Sequence, residues 1–306
     1  IEGEEESGSP SLIPFLKGHI KELSADHALV CDTNMWNTEV PAITTMLRGM
    51  VGEEIIVQSA NRDLHSGLFG GVVPNSISVL SELINSLHDE NGKVSITNFY
   101  KDVGELPTTL KDQWASLEFS EAKFLEKLDL AQASGEDGYS ILEKIWARPT
   151  CEVNGIWGGY TEEGFKTVIP KCANAKVSFR LVGNQNPTEI RNSFREQLRS
   201  LLPRGCTIKF QSHGASKATT FPLLEQAFIK SQLALTEEWS NQALFIGSGG
   251  SIPIVQHFKD ILNLDSILIG FAQADDHIHS PNEKYNLSSF QKGARSWARV
   301  IQKLSL

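Results

Sequence analysis

Residues 267–283 read ILIGFAQADDHIHSPNE, a short apolar run followed by a polar loop. The run 267–271 is typical of a buried strand, because it is continuously apolar. Five ionisable groups then follow within the nine residues 275–283. In open α/β sheets, binding sites gather beyond the carboxyl ends of the strands. The stretch therefore predicts an α/β sheet with a loop of candidate ligands at one edge, and a solvated polar loop remains the alternative.

Two further acidic features are candidates for the same site. The apolar run 28–31 predicts a second buried strand, and Asp32 stands at its end. Three consecutive glutamates occupy positions 4–6, near the start of the sequence. Taken alone, Asp32 is typical of a turn-capping residue and the glutamates of a solvated surface. With His279 from the loop, however, they offer three ligands and one base.

Carboxylates and imidazole are ligands that suit Zn²⁺ or Mn²⁺. Two such metals about 3.5–4 Å apart can acidify a bridging water and stabilise a tetrahedral intermediate. A paired site needs more ligands than this sequence offers. The spacing alone therefore predicts an incomplete two-metal hydrolase site.

Two glycine-rich segments accompany these candidates. His65 lies in Arg-Asp-Leu-His-Ser-Gly (62–67), directly before a flexible loop, and a structural turn is the alternative. The segment 247–251, Gly-Ser-Gly-Gly-Ser, follows a predicted strand at 243–246 and could hold an anion with its backbone amides. It matches neither common nucleotide-binding pattern, because the glycine spacing differs and no lysine follows. A tight turn without a ligand explains it equally well.

The periodicity along the chain predicts two domains, one inserted in the other. Residues 1–38 and 215–306 form the α/β catalytic domain, whose sheet is expected to be mostly parallel. Residues 39–214 form an inserted α+β domain. Its predicted elements are strands 43–46 and 54–58 joined by a hairpin-like turn, a helix from Pro74, helical segments in 89–150, an alternating strand 175–182, a helix from Asn186-Pro187 and a strand 207–211. The last helix of the chain carries apolar residues at helical spacing, namely Phe290, Ala294, Trp297, Ile301 and Leu304.

Composition excludes several classes of partner. The net charge is −9 and lysine and arginine form no stripe, which argues against nucleic acid and against an anionic membrane surface. No apolar run reaches the roughly 18–20 residues of a membrane helix. The four cysteines show no paired spacing, which predicts reduced thiols and a cytoplasmic location. The sequence opens Ile-Glu-Gly without Met, so we expect it to be an interior segment.

Five ordered motifs resemble the M20 family of di-zinc peptidases, in its carnosinase-like and cytosolic dipeptidase branch. The motifs are residues 2–9, Asp32 with the following Thr-Asn, residues 62–67, residues 249–253 and residues 279–284. The resemblance spans essentially the whole chain. It implies an α/β zinc-peptidase domain with an inserted lid and dimerisation domain at 39–214, and hence a homodimer.

The resemblance also implies roles for the acidic candidates. Glu5 corresponds to the general base, Glu6 and His279 to ligands of one zinc, and Asp32 to a ligand of the other, with Mn or Co as alternative metals. The family's His-x-Asp motif and its bridging Asp come before the Glu-Glu pair. We therefore expect the remaining ligands upstream of Ile1, and little or no catalysis from this chain by itself.

Substrate contacts follow in the same way. His65 resembles the histidine that a partner subunit contributes to bind the tetrahedral oxyanion, and Arg180 the arginine that holds the substrate's C-terminal carboxylate. Gly250 and Ser251 resemble further carboxylate contacts, and His213 is a weaker match to a substrate-binding histidine. One departure is Gly-Ser at 247–248, where the family commonly has a charged pair.

The predicted function is a zinc-dependent peptidase that hydrolyses dipeptides or short peptides with a free C-terminal carboxylate. Three alternatives stay open. The first is an N-acyl or N-succinyl amino acid amidohydrolase of the same family. The second is a non-catalytic dimerising remnant, and the third is an anion-binding or nucleotide-binding module built on residues 247–251.

Overall fold

The computed structural model describes residues 3, 4, 7 and 9–306. The strands are β1 (His27–Val30), β2 (Ala42–Leu47), β3 (Gly49–Gln58), β4 (Leu64–His65), β5 (Thr150–Gly158), β6 (Val168–Ile169), β7 (Cys172–Leu181), β8 (Thr207–Ser216), β9 (Thr219–Thr220), β10 (Leu244–Ser248) and β11 (Asp265–Leu268). The helices are α1 (Leu12–Gly18), α2 (Ser66–Phe69), α3 (Ser76–Asn85), α4 (Thr108–Ala115), α5 (Glu121–Glu126), α6 (Ile141–Trp146), α7 (Pro187–Leu201), α8 (Gln226–Trp239), α9 (Pro253–His257) and α10 (Leu287–Leu304). No described helix is both long and apolar enough to cross a membrane.

The chain divides into two compact units. The first consists of Ile1–Leu47 and Thr219–Leu306, and the second is Arg48–Ala218. This division begins and ends the insertion later than the predicted 39–214. Strand β2 stays in the first unit because it pairs with β10 and β11. The expected hairpin between β2 and β3 is therefore wrong, because a β-branched and apolar segment indicates a buried strand without indicating which sheet the strand joins.

The first unit contains a mixed sheet in the order β1-β11-β2-β10, with β9 paired to β2. The pairs β1/β11 and β2/β10 are parallel and join four and five residue pairs. The pairs β11/β2 and β2/β9 are antiparallel and join one and two residue pairs. The predicted parallel character thus holds for the longer pairings. Every residue of β2 is buried, including Thr44 and Thr45, and the Thr45 hydroxyl donates to the Ile246 carbonyl at 3.0 Å.

Helix α10 packs against α8, and its buried residues are mostly small, namely Ser289, Gly293, Ser296 and Val300. The predicted last helix is present, but its apolar residues are not all buried: Phe290 is 64% exposed and Ile301 is 56% exposed. Small side chains let the two helices approach, and the indole Nε1 of Trp239 donates to the Ser296 hydroxyl at 2.9 Å. At its outer side, Glu238 of α8 accepts hydrogen bonds from Arg295 and Arg299 of α10.

The second unit is built on an antiparallel sheet in the order β5-β7-β3-β8. Alternate residues of β3 and β7 are buried, and α3 and α7 pack on that face. Helix α7 begins as its sequence predicts: Asn186 caps it by accepting from the amides of Thr188 and Glu189, and Pro187 occupies the first turn. Helices α4, α5 and α6 lie in the segment 89–150, where helical structure was predicted.

Candidate active site

Strand pairing brings two of the predicted metal ligands to one edge of the first unit's sheet. Strands β1 and β11 are parallel neighbours, with Val30 opposite Leu268. Their carboxyl ends therefore leave the sheet side by side, one towards Asp32 and the other towards the loop that carries His279. An isolated bridge between Asn34 and Ala272 continues this pairing beyond the strands. The arrangement is the strand-end edge at which α/β proteins bind ligands.

A glycine makes this close approach sterically feasible. A Cβ atom added to Gly270 would overlap the backbone oxygen, nitrogen and carbonyl carbon of Thr33. Backbone atoms cannot give way as a flexible side chain can. The segment after β1 can therefore pass over the segment after β11 only where position 270 has no side chain. The single glycine inside the apolar run 267–271 was the sequence signal for this contact.

The loop that carries His279 has an unusual backbone conformation and begins at a buried residue, Asp276. His277, His279 and Asn282 adopt left-handed conformations, with φ of 54°, 61° and 63°. Asp276 is buried, and its carboxylate accepts hydrogen bonds from the backbone amide of Gln273 at 2.7 Å and from the Lys284 ammonium at 2.9 Å. Burial acts to raise the pKa of Asp276, but these two hydrogen bonds outweigh it and hold the pKa below its ordinary value.

The described residues include two of the predicted metal ligands. The carboxylate of Asp32 and the imidazole of His279 have the donor chemistry that zinc accepts. Within the described part of the chain, no three histidine, cysteine, aspartate or glutamate residues lie together so as to hold a metal. Glu5 and Glu6 lie outside the described residues. Their neighbour Glu4 accepts hydrogen bonds from the amide and hydroxyl of Ser11.

Gly250 and Ser251 follow β10, in the turn before α9. The hydroxyl of Ser248 accepts a hydrogen bond from the Gly250 amide at 3.2 Å. Strand β10 is parallel to β2, which is antiparallel to β11, so it runs opposite to β11. Strand direction therefore does not by itself place this turn beside Asp32. Its predicted contact with a substrate carboxylate stays a prediction.

His65 lies in the second unit, where β4 pairs with β6 apart from the larger sheet. Its Nδ1 accepts a hydrogen bond from the Gly67 amide at 3.0 Å. In a neutral imidazole the hydrogen then sits on Nε2, which faces the Thr167 hydroxyl at 3.4 Å. The Asp63 carboxylate accepts from the Lys171 amide at 2.8 Å and ties the segment to the strand before β7. His65 is thus held as an exposed N–H donor.

Arg180 and His213 share the face of the second sheet that is opposite to α3 and α7. Arg180 lies between the buried Phe179 and Leu181 on β7, so it points away from the core. The His213 imidazole lies 3.5 Å from the Glu54 carboxylate, on the same side of β3. These two predicted substrate contacts therefore lie on one face of the sheet, on the strands that flank β3.

A second arginine stands near Arg180. Burial, together with the positive charge of Arg180, lowers the pKa of Arg48 to about 10, and the charge of Glu152 opposes this. The guanidinium of Arg48 accordingly stays charged at neutral pH. Glu152 lies close enough to oppose their charge, and the Arg48 guanidinium lies 3.5 Å from the carbonyls of Lys144 and Arg148. Nothing in the local sequence around Arg48 indicated this, because it depends on pairing between distant strands.

His213 stands on a β-bulge. The pairing of β3 with β8 shifts between Val51 and Glu53, so that His213 and Gly214 face one position of β3. A Cβ on Gly52 would come within 2.9 Å of the His213 Cβ. Arg191 of α7 donates to the His213 carbonyl at 2.8 Å and fixes the bulge from the helix side.

The anchor of this arrangement is a buried carboxylate. The charged residue Glu53 lies on the core face of β3, and its side chain has no solvent exposure. Its oxygens accept from Arg191 Nε at 2.6 Å and from Arg195 Nε at 2.8 Å and Nη2 at 2.9 Å. Arg195 also donates to the Ser212 hydroxyl at 2.7 Å. Two guanidinium groups thus satisfy one carboxylate and tie α7 to the bulged strand.

Comparison with known proteins identifies the family. The profile described as "Peptidase dimerisation domain" of the M20 peptidases matches residues 45–206, which is more than half of the chain. The chain belongs to the M20 peptidase family. This confirms the resemblance on which the sequence interpretation rests. The α/β fold with an inserted dimerisation domain is confirmed as well.

Named relatives of this M20 chain are dipeptidases. The Cys-Gly metallodipeptidase DUG1 of Saccharomyces cerevisiae is 31% identical over 321 residues, covering 99% of this chain and 64% of that protein. The Beta-Ala-His dipeptidase of Rattus norvegicus is 25% identical, covering 100% of this chain and 63% of that protein. A solved structure of the dipeptidase Dug1p from Saccharomyces cerevisiae superposes with a TM-score of 0.81 at 28% identity, covering 99% and 64%. The chain thus spans less than two thirds of the length of these relatives.

Proposed function

We propose that the complete protein containing these residues is a di-zinc dipeptidase. The observation that carries the proposal is the parallel pairing of β1 with β11, which brings Asp32 and the His279 loop to one edge of the sheet. Glu6 completes the ligands that this chain contributes, and the remaining ligands are expected before Ile1. Zn²⁺ is the proposed metal, and Mn²⁺ or Co²⁺ are alternatives with similar ligand preferences.

The substrate class is a dipeptide or short peptide with a free C-terminal carboxylate. Cys-Gly is the first candidate, because the DUG1 relative that acts on it is 31% identical to this chain. The place of Arg180 on the sheet face opposite to α3 and α7 supports binding of a carboxylate. In this proposal the planar guanidinium of Arg180 gives a bidentate contact, and Gly250 and Ser251 add further hydrogen bonds. His213 binds the substrate from the same sheet face as Arg180.

The proposed chemistry divides into proton transfer and charge stabilisation. When bound, the metals polarise the scissile carbonyl and lower the pKa of the attacking water. Glu5 accepts the proton of that water and returns it to the leaving amine. His65 donates from Nε2 to the oxyanion of the tetrahedral intermediate. The hydrogen bond from Gly67 to Nδ1 supports this role, because it places the imidazole hydrogen on the outward nitrogen.

We further propose that the second unit forms the homodimer, with His65 serving the active site of the partner subunit. The family profile that matches residues 45–206 describes a dimerisation domain. Strand β5 is an edge strand whose exposed side chains include Val153, Ile156 and Trp157. An unpaired strand edge with exposed apolar residues is typical of a surface that pairs with another chain. A cytoplasmic location is also proposed, supported by four free cysteines.

Activity of the purified complete protein on a substrate panel tests this proposal. We expect zinc-dependent hydrolysis of Cys-Gly, loss of turnover in Glu5→Ala, and reduced turnover with retained zinc in His65→Ala. Hydrolysis of N-acyl or N-succinyl amino acids, with no hydrolysis of dipeptides, would support the related amidohydrolase instead. A complete protein that binds no metal and cleaves nothing, yet dimerises, would identify a non-catalytic remnant.

A further inference from the structure

We propose that Asp276 and Lys284 are positioning residues that hold the His279 loop in the geometry required to bind a metal ion. This inference rests on the proposed function, in which His279 is a zinc ligand. It concerns two residues that the ligand pattern does not include. Neither needs to contact the metal for the effect.

The conformation of the loop requires an external restraint. Three of its residues, His277, His279 and Asn282, have φ between 54° and 63°. Residues other than glycine seldom adopt this region, although histidine and asparagine do so more readily than most. Such conformations persist where the surroundings determine them. The only backbone hydrogen bond recorded for the described residues between 277 and 283 joins the Ser280 amide to the His277 carbonyl at 2.9 Å.

The restraint is a double connection between Asp276 and Lys284. The Lys284 amide donates to the Asp276 carbonyl at 2.9 Å, and the Lys284 ammonium donates to the Asp276 carboxylate at 2.9 Å. The ammonium also lies 3.1 Å from the Asp275 carboxylate. Together these contacts close residues 277–283 into a loop with His279 near its middle. The position of the His279 imidazole then depends on Asp276 and Lys284, the residues that flank the loop.

Asp276 is also connected to the segment that carries the other predicted ligand, Asp32. The second carboxylate oxygen of Asp276 accepts from the Gln273 amide, and Gln273 in turn contacts the sulfur of Met35 at 3.2 Å. The Met35 amide donates to the Ala272 carbonyl at 3.0 Å. Met35 lies three residues after Asp32. The Asp276 contacts therefore fix the His279 loop relative to the segment of Asp32 as well as relative to itself.

The contacts of Asp276 fix a geometry in addition to stabilising the fold. The residue is only 1% exposed, and its carboxylate is held from two sides, by the Lys284 ammonium and by the Gln273 amide. What the pair supplies is a fixed geometry, in the same way that groups around a ligand orient it in known metal sites. His279 itself is exposed near the middle of the loop, where a metal ion can reach it.

The test measures zinc affinity of the complete protein by competition with a chromophoric chelator. We expect Lys284→Met to weaken zinc binding by about 10–100-fold, the range seen when groups that orient ligands are removed. Lys284→Arg retains the charge and a donor, and should recover most of the affinity. If Lys284→Met fails to fold, Asp276→Asn replaces it, because the amide oxygen can keep the hydrogen bond from Gln273, whereas the amide nitrogen cannot accept from Lys284.

A matched control separates positioning from general destabilisation. Arg295→Met removes an ion pair with Glu238 in the same unit, away from the loop, and should leave zinc affinity unchanged. Equal zinc affinity in Lys284→Met, Asp276→Asn and the parent would overturn the inference. Equal weakening by Arg295→Met and Lys284→Met would overturn it too. Absence of zinc binding in the parent would instead contradict the proposed function.

Discussion

Replacing Glu53 by glutamine should destabilise the second unit more than any exchange of an exposed glutamate. The carboxylate has no solvent exposure and accepts from Arg191 and Arg195 at 2.6–2.9 Å. Removing one partner of a buried ion pair costs about 3–5 kcal/mol, because the remaining charge stays desolvated. The side chains of the two arginines keep 16% and 21% exposure, so we expect the lower end, about 3 kcal/mol.

Urea unfolding provides the assay for Glu53→Gln. At about 2 kcal/mol per molar urea, a loss of about 3 kcal/mol lowers the midpoint by about 1.5 M. Glu105→Gln is the matched control, because Glu105 is exposed and pairs with Lys111 at 3.4 Å. It should cost less than about 1 kcal/mol. A Glu53→Gln midpoint within the error of the Glu105→Gln midpoint would refute the assignment of Glu53 as the anchor of α7 and β8.

Three further changes test other parts of the structure. Gly270→Ala should cost the first unit at least about 2 kcal/mol in urea unfolding, since the methyl group overlaps the Thr33 backbone; parental stability would contradict this. Gly52→Ala should cost about 1–3 kcal/mol, because its Cβ meets that of His213 at 2.9 Å, and an unchanged midpoint would show that the bulge adapts. Burial acts to raise the pKa of Glu238, but Arg295 and Arg299 hold that pKa below the ordinary carboxyl value. The ionised side chain therefore stabilises the fold fully above the ordinary pKa, and this stabilisation is lost as the pH falls through the lowered pKa. The stability advantage of the parent over Glu238→Gln should therefore shrink on acidification, and an advantage independent of pH would exclude this contribution.

Sequence signals predicted an element well where the contacts that form it join residues close together in the chain. Asn186 and Pro187 mark the start of α7, because capping depends on the nearest backbone amides. The alternation over 175–182 predicts β7, because one face of that strand packs on the core. Sheet membership involves distant residues. The apolar run that became β2 therefore indicated burial correctly but suggested the wrong partner strand.

The last helix shows a different limit. Its large apolar residues recur at helical spacing, whereas the residues that the structure buries are mostly small. Periodicity locates apolar stripes, but it does not show which stripe faces the neighbour. When small residues determine the distance between two helices, the larger stripe can remain exposed.

The sequence predicts candidate ligands, which stay predictions, but it does not predict the contacts that hold their segments. Asp32 and His279 stand in strand-end positions that the sequence displays. Asp276 and Lys284 lie in segments that the sequence analysis singles out, but their contacts with each other and with Gln273 form only on folding. Glu5 and Glu6 remain predictions, since they lie outside the described residues. The family assignment supports their proposed roles without testing them.

Zinc stoichiometry of the complete protein tests the central claim most directly. The account predicts two zinc ions per chain, as a paired-metal site requires, and a reduced content in His279→Ala and in Asp32→Ala with folding retained. Elemental analysis after gel filtration gives the value for each variant. A parent protein without zinc, or a zinc content that neither substitution changes, would contradict the assignment of these residues as metal ligands.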